Sequence, residues 1–277
     1  MRLANLRGRA HLVVDDGAVD IADLTDGRIG PDMTSAIAHI DALAGLDLGG
    51  ADRVAINQDE LGPVSDEPRQ IIAIGINYHD HAAEMGLDLA KVPATFVKFR
   101  SALTGPHPVV VLPNEHCDYE TEMVVVIKEH AQHLTADTAW DVVAGLTLGQ
   151  DLSDRYTQME AGRQFSLGKS HRGFAPVGPI MVTPDEFRDR NDIRLQCSIN
   201  GELRQDATTA QMIYSVADIL VALTGIIDLY PGDLIYTGCP KGAGQSFDPP
   251  RFLAPGDELE CSMESVGDIT IRFVGAN

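Results

Sequence analysis

The chain has 277 residues, of which 44% are hydrophobic, and its 41 Asp and Glu residues outnumber its 21 Lys and Arg residues, for a formal net charge of -20. This length and composition allow one large domain, or a small domain followed by a larger one, with a substantial core. The acidic balance argues against nucleic acid or an anionic membrane surface as a partner, although a small anionic substrate needs only local positive charge.

The cysteines and the N-terminus bear on the cellular compartment in which the protein is expected. The four cysteines are widely spaced without a CxxC pair, which predicts reduced thiols rather than a disulfide framework or a zinc site. The N-terminus shows no signal-like apolar segment, and no apolar run approaches the roughly 20 residues of a transmembrane helix. We therefore expect a soluble, cytoplasmic protein.

The first 65 residues predict a small unit. Short strands flank a tight turn at Asp15-Asp16-Gly17, and residues 33–46 have apolar side chains at helical spacing. A polar stretch rich in turn formers follows, which indicates a linker. The sequence thus predicts a small N-terminal α+β domain over residues 1–65 and a larger domain over residues 66–277.

The larger domain is dominated by predicted strands. Residues 70–86 read as a strand, a Gly-containing turn and a helix, and residues 135–145 as a second helix followed by a strand over 146–151. Asn200-Gly201 is a strong hairpin signal, and Ser215 begins a capped apolar helix. Because the helices are few and not regularly interleaved with strands, the pattern favours an α+β fold over a doubly wound sheet.

Three acids at every second position, Asp118, Glu120 and Glu122, directly precede an apolar run. Alternation along a strand would place all three on one face, where two unit charges about 6 Å apart repel by roughly 3 kcal/mol at an effective dielectric near 20. Water, protonation or a hard cation such as Mg²⁺, Mn²⁺ or Ca²⁺ would offset that repulsion. A solvated edge strand is the alternative, and this stretch alone leaves both open.

Two further segments carry candidate catalytic or ligand residues. Asp151 ends an apolar strand, although a turn or helix N-cap aspartate explains the same position. His81 and Glu84 share one face of a predicted helix and could relay a proton from water, while His79 and Asp80 compete for that role. An ordinary surface helix accounts for the same spacing.

Two glycine-punctuated segments follow. Lys169 could hold a substrate carboxylate or enolate, although a solvated lysine is the simpler explanation. Residues 230–244 form a strand that runs into a Gly-rich loop whose N–H groups suit an anion. Because this loop lacks P-loop spacing, a nucleotide site is not predicted.

Six segments together resemble the fumarylacetoacetate hydrolase family, from about Ile71 to Phe273. They are, in family order, "GINYHDHAAE", "CDYETEM", "GQDLSDRYTQ", "GKSHRGFAPVGP", "NGELRQDATTAQMIYS" and "LYPGDLIYTGCPKGAG". The resemblance implies a barrel-like β-roll of mixed strands with peripheral helices, after a small N-terminal domain. It also implies a homodimer with one divalent cation per site, usually Mg²⁺ or Mn²⁺.

The resemblance also assigns roles to individual residues. The implied metal ligands are Glu120, Glu122 and Asp151, with Asp118 left as a structural residue. The implied catalytic residues are His81 and Glu84, on a lid that orders over substrate, and Lys169. The implied substrate contacts are Arg155, Gln158 and Thr237.

The activity implied by the resemblance is metal-dependent hydrolysis of a C–C bond in a 2,4-dioxo acid of the acylpyruvate or fumarylpyruvate type. His81 and Glu84 would activate water, and a metal-stabilised enolate would be released. The alternatives are decarboxylation of oxaloacetate or a similar 2-oxo diacid, and isomerisation of a dienol diacid. A non-catalytic metal- or ligand-binding protein is a further alternative, against which the intact His–Glu pair counts.

Three departures from the family pattern bear on the substrate. Residues 98–101 read Lys-Phe-Arg-Ser where relatives often have Lys-Pro-Pro-Ser, and Cys239 stands where a threonine is frequent. Arg172 replaces a frequent aspartate. None of these changes removes an implied ligand or the His–Glu pair.

Overall fold

The computed structural model describes residues 1–86 and 91–276, in which strands dominate and helices are short. The strands are β1 (Arg2–Leu6), β2 (Arg9–Val14), β3 (Gly17–Asp20), β4 (Ile71–Gly75), β5 (Ala94–Val97), β6 (Leu103–Thr104), β7 (Val109–Leu112), β8 (Cys117–Asp118), β9 (Thr121–Ile127), β10 (Val143–Gln150), β11 (Ser153–Asp154), β12 (Ala175–Val182), β13 (Arg194–Ile199), β14 (Glu202–Thr208), β15 (Leu234–Tyr236), β16 (Glu258–Met263) and β17 (Gly267–Gly275). The α-helices are α1 (Ile21–Leu24), α2 (Met33–Ala38), α3 (Ile40–Leu43), α4 (His79–Glu84), α5 (Arg155–Glu160) and α6 (Val216–Thr224).

A large mixed sheet forms the centre of the fold. Its strand order is β3-β2-β1-β12-β10-β9-β15-β4-β5, and β6 also pairs with β12. Strands β15 and β4 are parallel, as are β6 and β12, and the other pairs are antiparallel. Strands β9 and β10 are buried along their whole length, which explains why they read as apolar runs rather than as an alternating pattern.

Two smaller sheets complete the architecture. One has the order β14-β13-β16-β17-β7, and the other pairs β8 with β11. Asn200 and Gly201 both have positive φ, at 51° and 78°, and join β13 to β14, which confirms the predicted hairpin. The short β8–β11 pair sets Ser153 opposite Asp118, so this sheet brings the segment after β10 next to the acidic segment.

The N-terminal strands continue the large sheet. Strand β1 pairs with β12 in antiparallel register, with Arg2 opposite Val182. Leu3, Met33 and Ile37 belong to the same apolar cluster as the central strands. The domain boundary near residue 66 stays a prediction, because hydrogen bonds and core packing both continue across it.

The predicted α+β class is confirmed, and the sheets are mixed as expected. Strands β3 and β5 end the large sheet in the described part of the chain, so it curls without closing into a barrel there. The helix predicted over residues 135–145 is wrong. A short 3₁₀ helix, Ala139–Val142, is followed at once by β10, because the β-branched Val142 and Val143 pack into the core of a strand-rich region.

The predicted helix over residues 33–46 is divided into α2 and α3. His39, with φ -116° and ψ 21°, leaves helical geometry between them. The four cysteines are free and buried, in agreement with the reduced state expected from their spacing. None of the helices in residues 1–86 and 91–276 combines the length and apolar character that crossing a bilayer requires.

Candidate active site

Strand direction gathers the predicted site residues at one edge of the large sheet. Glu122 lies at the start of β9 and Glu120 directly precedes that strand, while Asp151 directly follows β10, which runs antiparallel to β9. Strand β15 is also antiparallel to β9, so Thr237 at its end meets the same edge. Strand β4 is parallel to β15, and its end leads into α4.

Two basic side chains neutralise the acidic segment. Arg155 Nη2 lies 2.7 Å from Asp118 Oδ2 and 2.6 Å from Glu120 Oε1. Lys169 Nζ lies 2.5 Å from Glu120 Oε2 and 2.6 Å from Asp151 Oδ2. The acids do not share one continuous strand, because Tyr119 and Glu120 separate β8 from β9. The positively charged side chains of Arg155 and Lys169 therefore offset much of the repulsion between the acids that the sequence pattern implies.

Asp118 contacts several groups of the protein, and its structural role stays a prediction. Its carboxylate accepts hydrogen bonds from Arg155 and from the backbone N–H groups of Gly244 and Gln245, at 2.6 and 3.1 Å. It is completely buried. It therefore anchors the Gly-rich loop and orients the guanidinium that contacts Glu120.

Lys98 is a site residue that the sequence patterns did not single out. Its ammonium group pairs with Asp151 Oδ1 and lies 3.3 Å from the Leu152 carbonyl, and both charged side chains are completely buried. Burial lowers the pKa of Lys98 against the opposing charge of Asp151. The available signal was its place directly after a strand, which it shares with Asp151.

The two glutamates have opposite pKa shifts. Burial favours a higher pKa for Glu120, but the charges of Lys169 and Arg155, with a smaller contribution from His81, hold its pKa well below the ordinary value. Burial, then the charges of Asp151 and Glu120, raise the pKa of Glu122 well above the ordinary value. Glu122 is thus a buried carboxyl group with a deficit of positive charge around it, a setting that a divalent cation fits.

The Gly-rich loop holds acidic side chains of the chain itself. Gly238 N donates to Glu122 Oε2 at 2.7 Å, and Gly242 N donates to Glu84 Oε2 at 3.3 Å. Gly238 has φ 94°, and a Cβ there would lie 2.6 Å from Asn77 Cβ, so glycine is required. The N–H groups predicted to suit an anion therefore contact these carboxylates.

The His81–Glu84 pair forms as the helical spacing predicts. His81 Nδ1 lies 3.1 Å from Glu84 Oε2 within α4. His81 is buried, whereas the competing residues His79 and Asp80 are exposed. Asp80 instead pairs with Lys241 at 3.3 Å. The proposed lid role of this segment stays a prediction.

The predicted substrate contacts differ in the donors that they offer. Arg155 Nη1 donates to Gln158 Oε1 at 3.2 Å, while Gln158 Nε2 is buried without a hydrogen-bond partner in the described structure. Thr237 Oγ1 donates its proton to the Met123 carbonyl at 2.9 Å. Gln158 therefore has a free buried donor, and the substrate roles of Arg155 and Thr237 stay predictions.

The possible cation ligands include one sulfur atom. Within the described residues, one group of potential ligand atoms comprises Glu120, Glu122 and Cys239, all within 4.8 Å of one another. Both carboxylate oxygens of Asp151 contact lysines, although its charge still acts on Glu122. Two of the three implied carboxylate ligands, Glu120 and Glu122, thus belong to this group, and Cys239 is an additional donor. Asp151 is not part of it and adjoins it through the Lys169 ammonium group that it shares with Glu120.

The fold is that of a known enzyme family. The family described as fumarylacetoacetate (FAA) hydrolase C-terminal matches residues 70–274. The chain therefore belongs to the fumarylacetoacetate hydrolase family.

Relatives in this family carry different activities. The chain is 39% identical over 216 residues to oxaloacetate tautomerase Fahd2a, mitochondrial, of Rattus norvegicus, covering 77% of this chain and 69% of that protein. It is 39% identical over 254 residues to 2,4-didehydro-3-deoxy-L-rhamnonate hydrolase of Sphingomonas sp. (strain SKA58), covering 87% of both.

A solved structure shows divalent metal use in the family. Maleylpyruvate hydrolase from Sphingobium sp. SYK-6, in complex with manganese(II) ion and pyruvate, superposes with a TM-score of 0.83 at 29% identity over all of both chains. These proteins are named as enzymes that act on small organic acids, by tautomerisation in one case and hydrolysis in two.

Proposed function

We propose that this protein is a divalent-metal-dependent hydrolase that cleaves a C–C bond of a 2,4-dioxo acid of the acylpyruvate or fumarylpyruvate type. The observation that supports this proposal is the juxtaposition of a buried acid cluster with a His–Glu pair. Lys169 bridges Glu120 and Asp151, and Glu84 holds the His81 ring. The Gly-rich loop joins the two groups, because Gly238 N donates to Glu122 and Gly242 N donates to Glu84. Binding of a cation alone would not require the histidine pair.

The residues fit a hard divalent cation such as Mg²⁺ or Mn²⁺, with Ca²⁺ a further candidate. Glu120, Glu122 and Asp151 supply buried carboxylate oxygens. Burial, then the charges of Asp151 and Glu120, raise the pKa of Glu122, and a bound cation would stabilise its charged form. When bound, such a cation supplies Lewis-acid polarisation of the 2-oxo acid. The manganese found in the related maleylpyruvate hydrolase supports this assignment.

The chain's own residues provide the proton transfers and orientation. His81 would take a proton from water as the water oxygen attacks the 4-carbonyl carbon. The bond between C3 and C4 breaks, and its electron pair stays on C3 as a pyruvate-like enolate. The positive charge of Lys169 stabilises this enolate. Protonation of C3 by the histidine then gives pyruvate and a carboxylic acid. Gln158 Nε2 is the free donor that would orient a substrate oxygen.

Enolate chemistry on oxaloacetate is the second candidate. The similarity to a tautomerase named for oxaloacetate supports it. Tautomerisation moves a proton between carbon and oxygen, and decarboxylation breaks a C–C bond without an attacking water. Isomerisation of a dienol diacid, like tautomerisation, would need only proton transfer. All three use the same acid cluster and Lys169.

A substrate panel distinguishes these reactions. Chelator-treated protein is incubated with acylpyruvates and, in separate samples, with oxaloacetate. Each reaction is run with and without Mg²⁺ or Mn²⁺. Hydrolysis consumes enol absorbance and yields pyruvate with a carboxylic acid. Decarboxylation yields pyruvate with carbon dioxide, and tautomerisation changes enol absorbance without forming pyruvate. We expect metal-dependent hydrolysis of an acylpyruvate; full activity without metal would contradict the proposed site.

A further inference from the structure

The wall of the proposed cation site contains a thiol. Cys239 is 3% exposed, and its sulfur lies within 4.8 Å of carboxylate oxygens of Glu120 and Glu122. The described residues provide no hydrogen-bond partner for this sulfur. The other three buried cysteines, Cys117, Cys197 and Cys261, are not part of this ligand group.

An independent observation marks the same wall as a place for a ligand. The Tyr78 hydroxyl is buried without a hydrogen-bond partner in the described structure, and Tyr78 as a whole is 1% exposed. The residue before it, Asn77, donates from Nδ2 to the Thr237 carbonyl at 2.7 Å, so Tyr78 lies beside the segment that carries Cys239. Burial, then the charges of Glu122 and Cys239, raise the pKa of Tyr78, in agreement with this position. A buried hydroxyl with no partner costs free energy unless something binds there.

The backbone on both sides of Cys239 is constrained. Gly238 adopts positive φ and donates its N–H to Glu122, which ties the residue before Cys239 to a carboxylate of the site. The residue after it is Pro240, whose carbonyl accepts a hydrogen bond from Gln205 Nε2 at 2.9 Å. The backbone of Cys239 is therefore held between two constrained residues, which fixes the position of its Cα beside Glu122.

We infer that Cys239 is a sulfur ligand that gives this site affinity for thiophilic divalent cations, such as Co²⁺, Zn²⁺ or Cd²⁺, in addition to hard ones. This inference rests on the proposed cation site. Carboxylate oxygens suit hard cations, whereas a thiolate favours softer ones. On binding, the thiol proton passes to the buffer as the metal–sulfur bond forms.

Cobalt titration of the full chain tests the inference without an activity assay. Protein freed of metal is titrated with Co²⁺ in the presence of a phosphine reductant, and thiolate-to-cobalt charge-transfer absorbance is recorded in the near ultraviolet. We expect one equivalent of this band in the wild type and none in Cys239→Ser. The same variant should lose about tenfold or more in Co²⁺ affinity while its Mn²⁺ affinity, measured by calorimetry, changes less than about threefold.

Cys261→Ser is the matched control. It replaces a buried cysteine in β16 that lies opposite Cys197 and outside the ligand group, so the charge-transfer band should persist. Retained Mn²⁺ binding shows that each variant is folded, and Cys239→Ala repeats the test without a hydroxyl. Co²⁺ and Mn²⁺ binding without a charge-transfer band would overturn the inference and leave the cation site intact. Failure of the wild type to bind either cation would overturn both.

Discussion

At the scale of single residues, the site is a balance of buried charges. Lys169 and Arg155 each bridge two carboxylates, and the carboxylates of Glu120 and Asp151 in turn raise the pKa of Lys169 against the opposite effect of burial. Glu122 has no such ammonium or guanidinium partner in the described structure and is contacted by the Gly238 N–H. The acid least well neutralised by the protein is therefore the one whose removal should most affect a bound cation.

Glu122→Gln and His81→Ala separate cation binding from catalysis. Glu122→Gln removes one anionic ligand and should weaken Mg²⁺ or Mn²⁺ binding markedly, with loss of activity. His81→Ala should leave cation affinity near that of the wild type and lower turnover by roughly 10²–10⁴-fold, the range of a general base. Calorimetric cation titration and acylpyruvate hydrolysis measure both effects.

The same pair of variants bears on the second candidate reaction. Decarboxylation needs no activated water, so His81→Ala should retain more oxaloacetate decarboxylation than acylpyruvate hydrolysis. Wild-type hydrolysis by His81→Ala, or loss of the cation in that variant, would show that the proposed roles are incorrect.

Lys98 offers a stability test at the same scale. Because Lys98 and Asp151 are completely buried, Lys98→Met leaves one oxygen of Asp151 without its cation and should lower the free energy of unfolding by about 3 kcal/mol. Arg194 pairs with Asp206 at 2.8 Å on the surface, where water screens the charges, and Arg194→Met should cost much less than Lys98→Met. Urea unfolding measures both; equal losses would contradict the distinction drawn from burial.

The residue types of the site were visible in the sequence, but their partners were not. Glu120, Glu122, Asp151 and Lys169 were found because their segments follow a family order. Lys98 and Cys239 were noted only as parts of departures from that order. Their importance depends on which strand ends meet in space, and pairing between β4, β15, β9 and β10 links residues far apart in the chain.

At the scale of elements, α5 shows how a short helix holds functional side chains. It has six residues and carries both Arg155 and Gln158. Its N-cap, Asp154, accepts hydrogen bonds from Thr157 N at 3.0 Å and from His171 Nε2 at 3.0 Å. Burial favours a higher pKa for Asp154, but the Thr157 and Asn114 hydrogen bonds outweigh it and lower the pKa.

Asp154→Ala should therefore destabilise the protein and disturb substrate binding. The lost cap should cost about 1 kcal/mol of unfolding free energy, and displacement of Arg155 and Gln158 should raise KM. The pKa of Asp154 is lower in the folded state than in the unfolded state, where an Asp has a pKa of about 4. The resulting stabilisation is complete above the unfolded pKa and is lost as the pH falls through the folded pKa. The difference from the wild type should shrink accordingly below about pH 4.

Asp32→Ala is the control for that prediction. Asp32 caps α2 through Ser35 N at 2.8 Å, far along the chain from the site, and hydrogen bonds from Ser35 lower its pKa despite burial. This variant should lose similar stability with unchanged KM. A raised KM in both variants would show that the effect of Asp154→Ala is not local.

Elements were predictable where local chemistry decides them. The Asn200-Gly201 hairpin and the Ser215 capping box formed as expected, since turn and cap geometry depend on a few adjacent residues. The helix expected over residues 135–145 failed because burial beside β9 selects an extended backbone for Val143 and its neighbours. Tertiary packing thus overrode helical spacing.

At the scale of the whole molecule, the oligomeric state is open to direct measurement. We expect a homodimer in solution, on the basis of the family resemblance. Light scattering at micromolar protein concentration should give twice the chain mass of 29.8 kDa. A monomer mass under those conditions would contradict the expectation.

The continuous sheet makes a further prediction about cooperativity. Because β1 pairs with β12 and Ile37 packs in the same apolar cluster as β9, the first 65 residues should unfold together with the rest. Ile37→Ala, a fully buried site in α2, should lower the free energy of unfolding by about 3 kcal/mol. The sole tryptophan, Trp140, lies beyond residue 66 and reports on the larger region. In Ile37→Ala, the urea midpoint followed by Trp140 fluorescence should shift from the wild-type value by the same amount as the midpoint followed by far-ultraviolet circular dichroism. A Trp140 midpoint unchanged by Ile37→Ala would instead establish an independently folding unit before residue 66.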